Sequence, residues 1–148
     1  MDNISLENKF LKVRVKLFGA ELTSVFDKET HTEYIYQPDG IHWNKQSPIL
    51  FPNIGAIRNN SFSYRGNDYE ARKHGFARDY AFELEDKGND FATFLLTNEM
   101  IKENYPFDFQ LRLKYTLNGR QLDMSYFVTT QSPEMYFAIG GHPAFRVP

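Results

Sequence analysis

The sequence contains no cysteine, which excludes disulfides and thiolate metal sites. Strong charge of either sign is also missing. A net charge of -2 and a pI near 6.1 leave no electrostatic footprint for nucleic acid or an anionic membrane surface. No apolar run approaches the ~20 residues needed to cross a bilayer. Met1-Asp2-Asn3-Ile4-Ser5-Leu6-Glu7 lacks the basic start and apolar stretch of a signal peptide. Together these absences set the expectation of a cytoplasmic protein without nucleic-acid or membrane partners. No repeat, low-complexity tract or linker breaks the chain, so residues 1–148 read as one domain or part of a larger one. No segment sustains a helical period, although residues 98–104 have room for a single helical turn.

Aromatic side chains are abundant: 14 Phe and 9 Tyr, against 1 Trp. They favour strands and fill sandwich cores; aromatics also stack on sugars, but most of these read as core. Leu11, Val13, Val15 and Leu17 alternate with Lys12, Arg14 and Lys16, the pattern of a strand with one wet face. After the break at Phe18-Gly19, residues 20–27 read as a second strand and 33–36 as a short third. The run Pro48-Ile49-Leu50-Phe51-Pro52 reads as a short strand or a loop entering the core. A hairpin is expected around Arg65-Gly66-Asn67-Asp68. Residues 80–85 and 92–97 flank a loop at 88–90, and a bulged three-residue loop sets Leu84 opposite Phe94 and Phe82 opposite Leu96. Asn118-Gly119 carries a type I′ signal, and a two-residue turn there pairs Tyr115 with Leu122, Leu113 with Met124, Leu111 with Tyr126 and Phe109 with Val128. The fold class is therefore all-β, an antiparallel β-sandwich.

Of the four histidines, His31 lies in a charged turn and reads as solvated surface. His42, next to Trp43 in a loop, has no motif to give it more than a pocket-rim position. His74 and His142 stand in different company, in His74-Gly75-Phe76-Ala77-Arg78 and Ile139-Gly140-Gly141-His142-Pro143-Ala144-Phe145. Glycine there lets a ligand or another backbone come close, and Pro143 biases His142 toward extended backbone. Each ring has two readings: a structural imidazole bonded within a turn, or a presented acid–base group. No His/Cys/carboxylate cluster supplies a zinc site, so no metal is expected. No nucleophile elbow and no phosphate-cradling glycine loop is present. Proton transfer near neutral pH is the chemistry that remains.

The chain resembles the aldose 1-epimerase (galactose mutarotase-like) family, particularly its lactose-operon-associated branch. The matching stretches are Gly19-Ala20-Glu21-Leu22, Ser47-Pro48-Ile49-Leu50-Phe51-Pro52 with Ile54-Gly55, His74-Gly75-Phe76-Ala77-Arg78, Tyr105-Pro106-Phe107 and Gly140-Gly141-His142-Pro143-Ala144-Phe145. The resemblance implies a sugar cleft on a large β-sandwich, of which this chain is about half. It implies interconversion of the α and β anomers of a hexose by acid–base ring opening, with no cofactor. His142 would be the acid that protonates the ring oxygen, and His74 would bind the sugar and help polarise it. Arg58 and Arg78 would also bind the sugar. The family's catalytic Glu lies in its second half, so residues 1–148 alone are expected to have little activity. The exposed sheet edges of a half-sandwich call for a homo-oligomer or a separate second half as cover. A carbohydrate-binding domain without chemistry, or a hexose-phosphate epimerase-like protein, are the alternatives.

Overall fold

The computed structural model describes residues 3–147; Met1, Asp2 and Pro148 lie outside the described residues. In chain order the strands are β1 (Asn3–Glu7), β2 (Leu11–Lys16), β3 (Glu21–Asp27), β4 (Thr32–Glu33), β5 (Ile49–Leu50), β6 (Ser61–Tyr64), β7 (Asn67–Glu70), β8 (Glu83–Lys87), β9 (Phe91–Thr97), β10 (Gln110–Asn118), β11 (Gln121–Thr129) and β12 (Gly140–Gly141). Three 3-10 turns complete the regular structure, with no α-helix among the described residues. One sheet runs β1-β2-β3-β4 and the other β11-β10-β9-β8; β12 pairs with β5, and β6 with β7. Every ladder is antiparallel, and the two main sheets make the expected β-sandwich.

The alternating residues of β2 turn inward as read: Leu11, Val13 and Val15 are buried. β1 was not anticipated, because its apolar alternation rests on Ile4 and Leu6 alone; it pairs Ile4 with Val15 and Leu6 with Val13. The long hairpin keeps its faces but not its pairs. Tyr115 lies opposite Met124, Leu113 opposite Tyr126 and Leu111 opposite Val128. The turn residues are Gly119 and Arg120, since Asn118 still pairs with Gln121. Gly119 has φ +60° and Arg120 is not left-handed, which is the II′ pattern rather than I′. Moving the turn one residue shifts each partner by two, so apolar still meets apolar.

At the β8–β9 hairpin, Leu84 does face Phe94. The route differs from the expectation: Gly88 N–H donates to Phe91 O, which closes a two-residue turn, and a bulge between Leu84 and Asp86 restores the register. Phe82 lies outside β8; its N–H donates to Leu17 O, joining the two sheets.

The core draws Leu6, Val13, Val15 and Ile35 from one side and Phe94, Leu96, Leu111 and Leu113 from the other, around Phe51, Phe76 and Phe109. Tyr115, 0% exposed, carries a hydroxyl into this apolar space and donates it to Ala20 O at 2.8 Å. Ala20 is itself buried, and among the described residues no other side chain bonds either polar atom. Burial pushes the Tyr115 phenol far up, which keeps it a donor. Replacing Tyr115 by Phe orphans the Ala20 carbonyl and should cost about 1–3 kcal/mol. A lower urea midpoint at constant m-value would show it; an unchanged midpoint would mean the carbonyl finds another donor.

Candidate functional site

β5 is only two residues long, yet it carries the site. On one side it pairs with β12, Gly140 opposite Leu50 and Gly141 opposite Ile49, which leads directly into His142. Just beyond it, Phe51 makes a parallel bridge with Gly75, next to His74. The Phe51 carbonyl accepts the N–H groups of Phe76 (2.9 Å) and Ala77 (3.1 Å). Gly75 is required here: a Cβ on it would lie 2.0 Å from Phe51 O. The crossing also places His74 at φ +68°, a left-handed conformation that side chains other than glycine adopt at a cost of about 1–3 kcal/mol.

His74 is locked to Gly55 twice. Its N–H donates to Gly55 O at 2.9 Å, and Gly55 N–H donates to its Nδ1 at 3.0 Å. An Nδ1 that accepts a hydrogen bond is unprotonated, so the neutral ring carries its proton on Nε2. Partial burial, then the charges of Arg78, Lys73 and His142, hold the His74 imidazole below its ordinary pKa.

The rings of His74 and His142 lie with centroids 6.0 Å apart at 64°. On its other side His142 meets Trp43, at 5.4 Å and 57°. The three rings form a row at the mouth of the β5–β12 ladder, with His142 exposed and His74 and Trp43 half-buried. No side-chain hydrogen bond restrains His142 among the described residues; its backbone N–H donates to Pro48 O at 3.1 Å. The glycines before it make room for neighbours of the fold itself: a Cβ on Gly141 would stand 2.9 Å from the Tyr126 hydroxyl and 3.1 Å from Met124. The glycine framing that marks both histidines in the sequence therefore serves close packing.

The other candidates separate. Arg78 donates to Lys73 O at 2.9 Å, and its Nε is buried without a partner. It braces the turn that bears His74. Arg58 is exposed on the 3-10 turn Arg58–Asn60, its side chain makes no hydrogen bond or ion pair among the described residues, and it is not among the charges acting on His74. His42 bonds Asp39 through Nδ1 at 2.6 Å on the exposed loop before Trp43. No Asp or Glu joins the two central histidines in a group able to hold a metal ion among the described residues. Trp43 carried no motif, and only its contact with His142 reveals it. A cleft of about 480 Å³ opens on the far side of Gly75 and is lined by Phe62, Tyr64, Tyr105, Phe107 and Tyr136 with the Arg72–Glu103 pair; neither central histidine lines it.

A β-sandwich presenting paired imidazoles from the ends of a short inner strand defines the class of protein. The aldose 1-epimerase family profile matches residues 2–148, and the chain belongs to that family. It is 40% identical over 153 residues to the chromosomal protein LacX of Lactococcus lactis subsp. lactis, an alignment covering 98% of this chain and 51% of that protein. A galactose mutarotase-related enzyme from Lactobacillus acidophilus superposes with a TM-score of 0.94 at 36% identity, over 99% of this chain and 50% of that one. A galactose mutarotase-like protein from Lactobacillus casei gives 0.91 at 36% identity, over 99% and 51%. The chain thus spans about half the length of the curated relatives it matches (51%).

Two predictions follow from this geometry. Gly75→Ala meets both the clash and the left-handed backbone, and should destabilise by about 2–5 kcal/mol; a denaturant midpoint equal to wild type would refute the crossing. The second concerns acid. Below the ordinary imidazole value of 6.5 the unfolded chain takes up a proton that native His74 resists. Protonation would also cost the bond from Gly55. The native state should therefore lose stability as pH falls below 6.5, and His74→Asn should flatten that part of the curve. Urea midpoints across pH, with the His74 C2–H titration by NMR, check both the sign and the assignment.

Proposed function

We propose that this chain provides the imidazole-bearing half of a hexose isomerase that interconverts α and β anomers by ring opening. The observation that carries the reading is the His74–His142 pair, 6.0 Å between ring centroids, on one accessible surface. That spacing suits two rings meeting neighbouring atoms of one pyranose. His74, with Nδ1 occupied by Gly55, offers an Nε2–H to a sugar oxygen and stays neutral to lower pH than a free imidazole. His142, unrestrained by any side-chain bond among the described residues, can give its proton to the ring oxygen and take it back when the ring recloses. The carboxylate that removes the anomeric hydroxyl proton comes, by this reading, from outside the half that these residues match in their relatives.

A second reading has its own support. Arg78 and Lys73 surround His74 with positive charge, which favours a sugar carrying a phosphate over a free hexose. Binding without chemistry is the remaining outcome.

The test begins with binding. Galactose, glucose and their 6-phosphates titrated into labelled protein should shift the His74 and His142 ring resonances together. Shifts at neither ring, up to the solubility of each ligand, would overturn both readings; tighter binding of the phosphates would select the second. Polarimetry then adds the chemistry, on these residues joined to the second half that by this reading supplies the carboxylate, because residues 1–148 alone are expected to have little activity. A positioned general acid is worth about 10²–10⁴ in rate, and His142→Asn should remove that factor from the acceleration measured while His74 still responds to sugar. Wild-type rates unaffected by His142→Asn would leave a binding domain.

A further inference from the structure

Glu21 opens β3, is 1% exposed, and has no role in the site as described so far. A buried carboxylate is expensive unless its oxygens are matched by donors. Here they are: one oxygen accepts Gln46 N–H at 2.6 Å and Ser47 N–H at 3.0 Å, and the other meets Lys16 Nζ at 2.5 Å. Residues 46–48 are in turn the surface on which the His142 segment lies. Gln46 O accepts Ala144 N–H at 2.8 Å, and Pro48 O accepts His142 N–H at 3.1 Å. Pro48 and Pro143 have no N–H to give, so few backbone bonds are available to fix this register. On the side away from His142, residues 46 and 47 have the Glu21 carboxylate where a sheet would have a neighbouring strand. The Gln46 side chain adds bonds to Thr23 O and Tyr36 O. Trp43, three residues upstream of Gln46 on the same segment, touches the His142 ring.

We propose that Glu21 is a positioning residue for His142: its carboxylate anchors residues 46–48, and through them sets where the imidazole stands against Trp43 and His74. The importance of this for chemistry rests on the reading of His142 as the acid; the positioning itself does not. What matters is an acceptor of the right reach for Gln46 N–H and Ser47 N–H, so Glu21→Gln, which keeps that oxygen and loses the charge, should preserve the arrangement, with Lys16, 31% exposed, turning to solvent. Glu21→Asp keeps the charge but falls short by one methylene and should disturb it.

Two readouts need no sugar. Trp43 is the only tryptophan, and an imidazolium beside an indole quenches its emission, so fluorescence against pH should show a step that His142→Asn removes. Amide exchange of His142 and Ala144 reports the bonds to Pro48 O and Gln46 O. In Glu21→Asp the fluorescence step should shift or vanish, and exchange at these two amides should rise about tenfold, the worth of one buried hydrogen bond. Leu111 and Leu113 in β10 should stay as protected as in wild type. In Glu21→Gln both readouts should stay close to wild type. The proposal is overturned if Asp leaves the step and the two amides unchanged, if Gln disturbs them as much as Asp does, or if Asp speeds exchange equally in β10, which would make Glu21 a general stability residue. Sugar titration of the same proteins judges the isomerase reading separately, so either idea can fail without the other.

Discussion

The carbonyl of Phe51 occupies the place where residue 75 would carry a Cβ, and the rest of the site depends on that contact. It explains a glycine next to a histidine without invoking a ligand. It also explains the left-handed backbone of His74, because the chain must turn sharply to bring Phe76 N–H and Ala77 N–H onto the same oxygen. The cost of that conformation is offset by burying Phe51 and Phe76 at right angles in the aromatic core. Two residues earlier in the chain, β5 holds Gly140 and Gly141. One short, buried strand thus fixes the backbone that leads to both histidines.

A second constraint joins this strand to the sheets. Residues 17–21 sit where the halves of the molecule meet. Gly19 approaches the Arg78 backbone so closely that a Cβ would lie 3.0 Å from Arg78 O. Ala20 O takes the Tyr115 hydroxyl from the opposite sheet, and Glu21 holds residues 46 and 47. Three consecutive residues therefore reach the His74 turn, the β10 core and the segment under His142. The shared motif Gly19-Ala20-Glu21-Leu22 acquires a physical meaning that composition alone could not supply.

What the sequence disclosed follows from range. Alternation is a local property, so the inward faces of β2 and β10 were legible, and so was the hairpin between β10 and β11. Its register was not, because Gly119 serves equally well as the second residue of one turn or the first of another, and packing chose. The bulge in β8 has no local signal either. At the site, the two motif histidines were visible as glycine-framed residues. The partners that give them geometry are not local: Gly55, 19 residues before His74, and Pro48, far earlier in the chain, for His142. Trp43 went unseen because a lone tryptophan in a polar loop has no pattern; only the tertiary contact singles it out. Arg58, chosen for its position before Phe62, is exposed on a 3-10 turn with its side chain unpaired among the described residues.

The two imidazoles differ in how firmly they are held, and the difference is chemical as well as mechanical. His74 is clamped through backbone and ring to Gly55 and backed by a crossing in the core. Its tautomer is chosen by the clamp, so it can donate through Nε2 but cannot exchange protons without breaking a bond. His142 hangs from a two-residue ladder flanked by Pro48 and Pro143, over Met124 and Tyr126 of β11. Burial thins out there: Leu111, Leu113 and Tyr115 of β10 are fully enclosed, while their partners on β11 are only partly so. Its ring keeps both nitrogens free of side-chain partners among the described residues. A site that must orient a substrate with one group and shuttle a proton with another needs this asymmetry, since a ring locked in one tautomer orients well and transfers poorly. On the isomerase reading proposed above, the rigid crossing at Gly75 and the lighter suspension of His142 would divide the work before any substrate arrives.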